Sequence, residues 1–532
     1  MPIEYRAYHG RFERASPLGP NMGDGVRRIA RLGARLEKVL RILIDGQFRR
    51  SLSYPEAAEA RPLVGTSRDR SIIRIRVMEK NDPLVLKLNR ATRRVLAMNK
   101  SGRCEHLFGV TMRLRLMENS LWALEFRKLG LRGIAEPIAV LSPIALIFSA
   151  QEVVMTTVAI LFILHCWRER NFSWVGRGWF ISLLALWVYA FVRTLFDHPT
   201  ATGILTALQW IHFPIYGAAL AHWILRDERS RGRLALATAG ALTFYSLDCL
   251  LQYVLGFDVI GRPMNGHRLT GVFGKPGIGT EIAWLMLPPL LYFWQDGRPA
   301  LALLLCSLYV AAVVLSGDRM ALLIVLSYPV FLALILRSFR KPLLIALPVL
   351  AALCGALLYS SPVTYHRQVE TTAEVIGNVK DSAYGVVFAS ALEIARDHPI
   401  FGVGVHNYQA VCIEDRYGPP AIGPEHYKRC QGHPHNTYLL WLAEAGIIGL
   451  ALYIAFVFFS VRALIRSAAD NWHNVVFFGL AVSLALRLWP LTAGTSFYSS
   501  WSAEPMFLVL GWSLCFVCPC CECEAGTSSR QS

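Results

Sequence analysis

The stretch GWFISLLALWVYAFVRTLF, Gly178–Phe196, decides the class of fold. It carries a single charge, Arg193, and it is long enough for a helix to cross a bilayer, which takes about 17–25 mainly apolar residues. Similar runs recur at about 134–165, 203–225, 234–256, 278–294, 300–315, 320–336, 342–360, 437–461, 475–489 and 501–517. The 532 residues are 54% hydrophobic, and their mean hydropathy is +0.39. A soluble domain is less apolar. The pattern predicts an all-α integral membrane protein. The first residues lack the short apolar core of a cleavable signal peptide.

Charge sets the expected topology. The net charge is +17. Residues 1–133 hold about 28 Lys and Arg against about 13 Asp and Glu, and such a segment resists translocation. This basic extension is expected in the cytoplasm, near anionic membrane lipids. It shows no nucleic-acid-binding motif, so no nucleic-acid partner is expected. It is Arg-rich and lacks a core pattern. Met117 opens MENSLWALEFRKLGLRG, a basic lead-in to a first span, so residues before Met117 are expected to be dispensable. The connections Arg226–Arg233, Arg337–Lys341 and Arg462–Arg466 are also basic and belong on the same side. That holds only if residues 134–165, interrupted by Gln151 and Glu152, cross twice. The count becomes about twelve transmembrane helices, with both termini cytoplasmic. The expected divisions are the extension 1–133, nine spans in 134–360, one large outer loop at 361–436, three spans in 437–517, and a Cys-rich tail at 518–532.

Three connections then face outward: 257–277, the turn Ser316–Arg319, and 361–436. A loop longer than about 15 residues is usually functional. Within it, Ala383–Arg396 reads as an amphipathic helix, and HPIFGVG, His398–Gly404, as a glycine-rich turn. Each connection brings polar groups to the membrane boundary. NGHRLTGVFGKPG contains His267, Arg268 and Lys275; SGDRMALL contains Asp318 and Arg319; HPHN contains His433, His435 and Asn436. Arginine at this depth is costly unless it is paired or lines a wet cavity, and its planar fork suits phosphate oxygens. Arg319 can instead pair with Asp318, Arg193 can pair with Asp197 one turn on, and Arg487 can be a bundle contact. His267 and Lys275 read as ordinary loop residues. An imidazole titrates near pH 6.5, which suits proton abstraction, but His435 can equally be an interface residue. Asn436 can cap the helix starting at Thr437. His-Pro-His alone is a poor metal site, and no metal spacing is present in the loop.

At these residues the chain resembles the O-antigen ligase and polymerase superfamily of bacterial membrane glycosyltransferases. The family pattern places His-Asn, nine residues, and Gly-x-x-Gly; here it reads His435-Asn436, Thr437 to Ala445, then Gly446 and Gly449. RLTGVFGKPG, LSGDRMALL and HPIFGVG resemble further family segments. The resemblance spans about 134–517 and implies one large periplasmic loop in a multi-pass protein of the bacterial inner membrane. It implies transfer of a glycan from undecaprenyl diphosphate to an acceptor hydroxyl at the periplasmic face. Arg268, Arg319 and Arg193 would hold the donor diphosphate, His435 would be the general base, and Asn436 and His433 would support it. Neither metal nor another cofactor is implied. The favoured form is an O-antigen ligase with a lipid A–core acceptor. The alternative is an O-antigen or exopolysaccharide polymerase, whose acceptor is another glycan. A different class is a membrane transporter of a small anion such as bicarbonate. A transporter should show ion ligands in broken helices at mid-membrane; Asp248 and Glu281 are the only candidate acids, and both read more easily as bundle or interface residues. The chain departs from the family at Gly277, where Asn is common, and at Asp381-Ser382, where Arg is common.

Cys412 and Cys430 fall in the outer loop, and an oxidising periplasm allows a disulfide between them. The tail cysteines Cys515, Cys518, Cys520, Cys521 and Cys523 lack a ligand pattern and are expected to be dispensable.

Overall fold

A computed structural model describes residues 130–517, apart from 149, 197–200, 381, 415, 418–429, 431, 493 and 495. Most of the basic extension, Met117 and the tail 518–532 lie outside the described residues, as do Asp197 and Asp381. Among the described residues no strand occurs, and the only β-type pairing is two isolated bridges, Phe257 with Pro263 and Asn265 with Arg268.

The run 134–165 is divided. Helical residues 130–140 and the short turns Ser142–Ala145 and Leu146–Phe148 precede α1, Gln151–Glu169. There follow α2 (Gly178–Phe196), α3 (Ala201–Gln209), α4 (His212–Ala219), α5 (Glu228–Leu255), α6 (Ile278–Gln295), α7 (Pro299–Ser316), α8 (Arg319–Ile335) and α9 (Arg340–Ser360). The long connection after α9 contributes α10 (Ala383–Asp397), and α11 (Thr437–Ser467), α12 (Val475–Arg487) and α13 (Ser500–Leu514) follow. Among the described residues six segments are long and apolar enough to cross a membrane: Gly178–Phe196, Gly203–Ile224, Glu228–Leu255, Pro299–Ser316, Arg337–Ser360 and Thr437–Ser467. The others are short, as α12 is with 13 residues and α13 with 15, or less apolar, as α1 is with Gln151, Glu152 and His165 and α6 with Glu281.

α6 packs against α5, α7, α8 and α12 and is buried almost all round, as an apolar helix without a polar face must be. α13 is equally enclosed, between α4 and α12. A Cβ on Gly511 of α13 would lie 2.6 Å from the Gly217 carbonyl oxygen of α4, so two small residues let these backbones approach. α9 has no buried residue, and Leu344 and Ile345 lie exposed on it.

The turn His398–Gly404 is fixed to the bundle through a break in α11. Gly446 takes φ 63° and ψ −163°, a backbone region open essentially to glycine alone. The turn His398–Gly404 enters the break. Val403 N–H donates to the Ala443 carbonyl at 3.0 Å, Gly404 N–H to that of Glu444 at 2.9 Å, and Ile447 N–H to that of Pro399 at 2.9 Å. The Tyr189 hydroxyl of α2 donates to the Ala445 carbonyl at 2.9 Å, so the backbone groups around the break are satisfied. The buried Glu444 carboxylate accepts from Tyr408 N–H at 3.1 Å. The crossing leaves no room for side chains: a Cβ on Gly402 would stand 2.3 Å from the Glu444 carbonyl carbon, and one on Gly446 would stand 2.2 Å from the Ile400 oxygen.

Gly446→Ala is therefore expected to cost at least about 3 kcal/mol, from backbone strain plus the clash. Gly355→Ala in α9, where nothing stands within 4 Å, should instead gain about 0.5–1 kcal/mol from helix propensity. Thermal unfolding in detergent separates the two; a Gly446→Ala protein as stable as the parent would contradict the clamp.

Candidate active site

Asp318 joins the segment carrying Arg268 to the start of α6. One carboxylate oxygen accepts from the Arg268 guanidinium, and the other accepts from Gly279 N–H at 3.1 Å. Gly279 lies in the first turn of α6, where backbone N–H groups lack helical partners, so Asp318 also caps that helix. A Cβ on Gly279 would be 2.2 Å from Ser316 Oγ, which explains a glycine there. The Asp318 side chain is 4% exposed and that of Arg268 34%. The ion pair thus holds one edge of Arg268 while part of the five-donor fork faces outward.

The segment carrying Arg268 is rigid because α5 grips it. Asp248 accepts from Val259 N–H at 2.8 Å and Val272 N–H at 2.7 Å. Gln252 accepts from Thr270 and Gly271 N–H at 2.8 and 2.9 Å, and its amide donates to the Arg262 carbonyl at 3.2 Å. Both Asp248 oxygens are therefore engaged by loop amides.

Arg319 opens α8, one residue after Asp318. Its guanidinium lies over the Tyr384 ring, 5.6 Å from the centroid, and donates to the Thr371 carbonyl at 3.4 Å. Arg367 packs on the same turn; a Cβ on Gly317 would meet its Nε at 3.0 Å. Tyr384, in the first turn of α10, has its ring 6.2 Å from that of His435. Arg268, Asp318, Arg319, Tyr384 and His435 thus form a connected chain of contacts from three separate segments.

His435 sits just before α11 with φ 51°, a left-handed conformation uncommon for a residue with a side chain. The His433 ring is 4.4 Å away. Both are held by the connection between α12 and α13: His433 Nε2 lies 3.1 Å from the Gly494 carbonyl, and Gly494 N–H donates to the His435 carbonyl at 3.0 Å. Burial, above all, pushes the His435 imidazole below its ordinary range; the Gly494 carbonyl partly offsets this, and the nearby Arg268 charge adds to it. Burial and the adjacent His435 push His433 down to about 4. Both rings are therefore neutral near pH 7. Asn436 caps α11 by accepting from Tyr438 and Leu439 N–H, both at 3.0 Å, and donates to the Pro490 carbonyl at 2.6 Å.

The remaining candidates lie elsewhere. Arg193 stands over the Phe401 ring of the clamp, 5.1 Å from its centroid. Lys275 lies 4.1 Å over Trp501, and burial pulls its ammonium below the ordinary range. His267 is exposed. Arg487 is a bundle contact, bonded to the Ser502 carbonyl at 2.8 Å and hydroxyl at 2.5 Å, and stacked 3.2 Å over Trp284. A disulfide joins Cys412 to Cys430, with Cα atoms 5.4 Å apart. Among the described residues no group of three His, Cys, Asp or Glu is placed to hold a metal ion. The charge beside His435 is cationic, which suits an anion.

Tyr384, Arg367, Thr371 and residues 488–499 escaped the sequence reading. Tyr384 is one of several aromatics on an amphipathic helix, and Leu488, Pro490 and Gly494 act through backbone carbonyls, which no side-chain pattern marks.

Residues 302–454 match the family described as O-antigen ligase. The match runs from α7 through the Gly446 break and includes Arg319, Tyr384 and His435. The resemblance to that superfamily holds over this stretch, and it supports a membrane glycan transferase of the ligase and polymerase type. No curated protein matches the chain.

Asn436→Ala removes both the cap and the tie to Pro490, and should cost about 1–2 kcal/mol. Asn436→Asp keeps the acceptor but not the amide donor and should fall between. Chemical denaturation of the detergent-solubilised protein measures both; an alanine variant with parental stability would show that the residue is not a cap.

Proposed function

We propose that this protein transfers an oligo- or polysaccharide from undecaprenyl diphosphate to an acceptor hydroxyl at the periplasmic face of the bacterial inner membrane, acting as an O-antigen ligase on a lipid A–core acceptor. The observation that carries this reading is the gathering of Arg268, Arg319 and His435 at one place. The topology belongs to the same proposal: twelve spans, both termini in the cytoplasm, and residues 361–436 in the periplasm. The Arg-rich connections lie at the helix ends away from His435, which supports it.

The chemistry follows from the groups present. The bond that breaks joins the anomeric carbon to a diphosphate oxygen, and negative charge builds on that oxygen as it leaves. Arg268 and Arg319 offer N–H groups and positive charge to the diphosphate, which stabilises departure more than the bound ground state. The bond that forms joins the acceptor oxygen to the anomeric carbon. His435, neutral and beside the cations, takes the acceptor proton. Arg268 also disfavours a proton on His435 before the acceptor arrives. Displacement from the face opposite the diphosphate inverts the anomeric centre. Asp318 holds Arg268 in place, Asn436 and His433 fix the approach to α11, and Arg193 supports the clamp beside the donor. No metal is needed for this step.

The sign of the pH dependence is fixed by the lowered imidazole. The base form of His435 persists as pH falls from neutral, so the acid limb of kcat/KM should lie below about pH 6.5. An acid limb at or above that value would contradict the assignment. In cells, a deletion strain should accumulate finished polymer on its lipid carrier and lack it on the core. Single repeat units on the core would indicate a polymerase, and unchanged glycan with altered anion uptake would indicate a transporter.

A further inference from the structure

At the far ends of the same helices, a cavity of about 340 Å³ opens between the start of α2, the end of α11 and the end of α13. Its wall carries three arginines, Arg177, Arg462 and Arg466, together with His222. Apolar side chains, Trp179 and Phe459 among them, complete it. No Asp or Glu lines it among the described residues. The neighbouring cavities differ: one contains Glu169 beside Arg226, and another Glu228 and Asp296 beside Arg231. All three arginines are exposed, and none forms an ion pair with another described residue. Arg462 and Arg466 stand one turn apart on α11, so their like charges repel along one face unless an anion lies between them.

α11 rises about 1.5 Å per residue, so the twenty residues from Gly446 to Arg466 carry this cavity roughly 30 Å from the clamp. That is the thickness of a bilayer's apolar core. The cavity therefore lies at the opposite membrane boundary from His435.

We infer that this cavity binds the phosphate headgroup of an anionic phospholipid from the leaflet opposite the His435 cluster. Three guanidinium groups with no facing carboxylate match a phosphate, which accepts bidentate hydrogen bonds from arginine. The Trp179 and Phe459 walls suit the apolar part of a lipid, whereas a free inorganic ion would gain nothing from them. Basic pockets between transmembrane helices hold headgroups in this way. Because α2 and α11 both border the cavity and also meet at the Tyr189–Ala445 contact, the lipid would brace the helix pair that carries the outer clamp.

The test is native mass spectrometry of the purified full chain, titrated with phosphatidylglycerol or phosphatidylcholine in detergent. The parent should retain phosphatidylglycerol at least tenfold more tightly than phosphatidylcholine. The triple variant Arg177→Gln, Arg462→Gln, Arg466→Gln should lose that preference while keeping its elution volume and helicity. A control with Arg229→Gln, Arg337→Gln and Arg340→Gln removes the same charge outside the cavity and should keep it. Equal retention by the triple variant, or equal loss in the control, would overturn the site. Displacement of phosphatidylglycerol by millimolar inorganic phosphate would show a free-anion site and reject the lipid. A triple variant that fails to fold is replaced by Arg462→Glu alone, which should still lower retention at least fivefold; parental retention there would overturn the proposal.

Discussion

The backbone crossing at Gly402 and Gly446 is the constraint on which the His435 site depends. A transmembrane helix satisfies its backbone internally, and opening it exposes amides and carbonyls that the bilayer cannot solvate. Here the opening is filled by another stretch of backbone, so the loop becomes part of the helix's own hydrogen-bonding scheme. A loop attached by side chains alone would slide or fray. One attached through three backbone groups of α11, the Ala443 and Glu444 carbonyls and Ile447 N–H, has a single register. That register positions α10, which packs along α11 and presents Tyr384 between Arg319 and His435.

Electrostatics completes what the clamp begins. Asp318 is buried and serves two masters, the α6 terminus and Arg268, so its charge is satisfied without covering the whole guanidinium. Arg319 and Arg367 stand around the same turn and leave a net positive region. Burial keeps His435 and His433 neutral beside it. An anion and an unprotonated base are thereby favoured in one place.

The sequence made the helices legible because apolar length is a direct physical requirement of a membrane span. The polar clusters before α11 and around Asp318 were legible for the converse reason: polar groups at that depth are costly without a use. Gly446 and Gly449 could be found as a pattern, yet their spacing gave no hint that one of them interrupts a helix. That interruption is a tertiary event, visible only once His398–Gly404 is seen to enter it. Asp248 shows the same limit: as a letter in an apolar run it reads as a bundle or interface acid, whereas in space it binds two loop amides. Contacts made by main-chain carbonyls, such as Gly494 to His433, leave no trace in residue types.

Glycan transfer from a lipid-linked diphosphate by His435 and the facing arginines is the proposed reaction. Its most direct measurement is a reconstituted reaction with purified protein, an undecaprenyl-diphosphate-linked oligosaccharide and a lipid A–core acceptor, following product and released carrier together. One undecaprenyl diphosphate should be released per acceptor glycosylated, with inverted anomeric configuration in the product, and a folded His435→Ala protein should lose both. Full transfer by that variant, or a product with retained configuration, would contradict it.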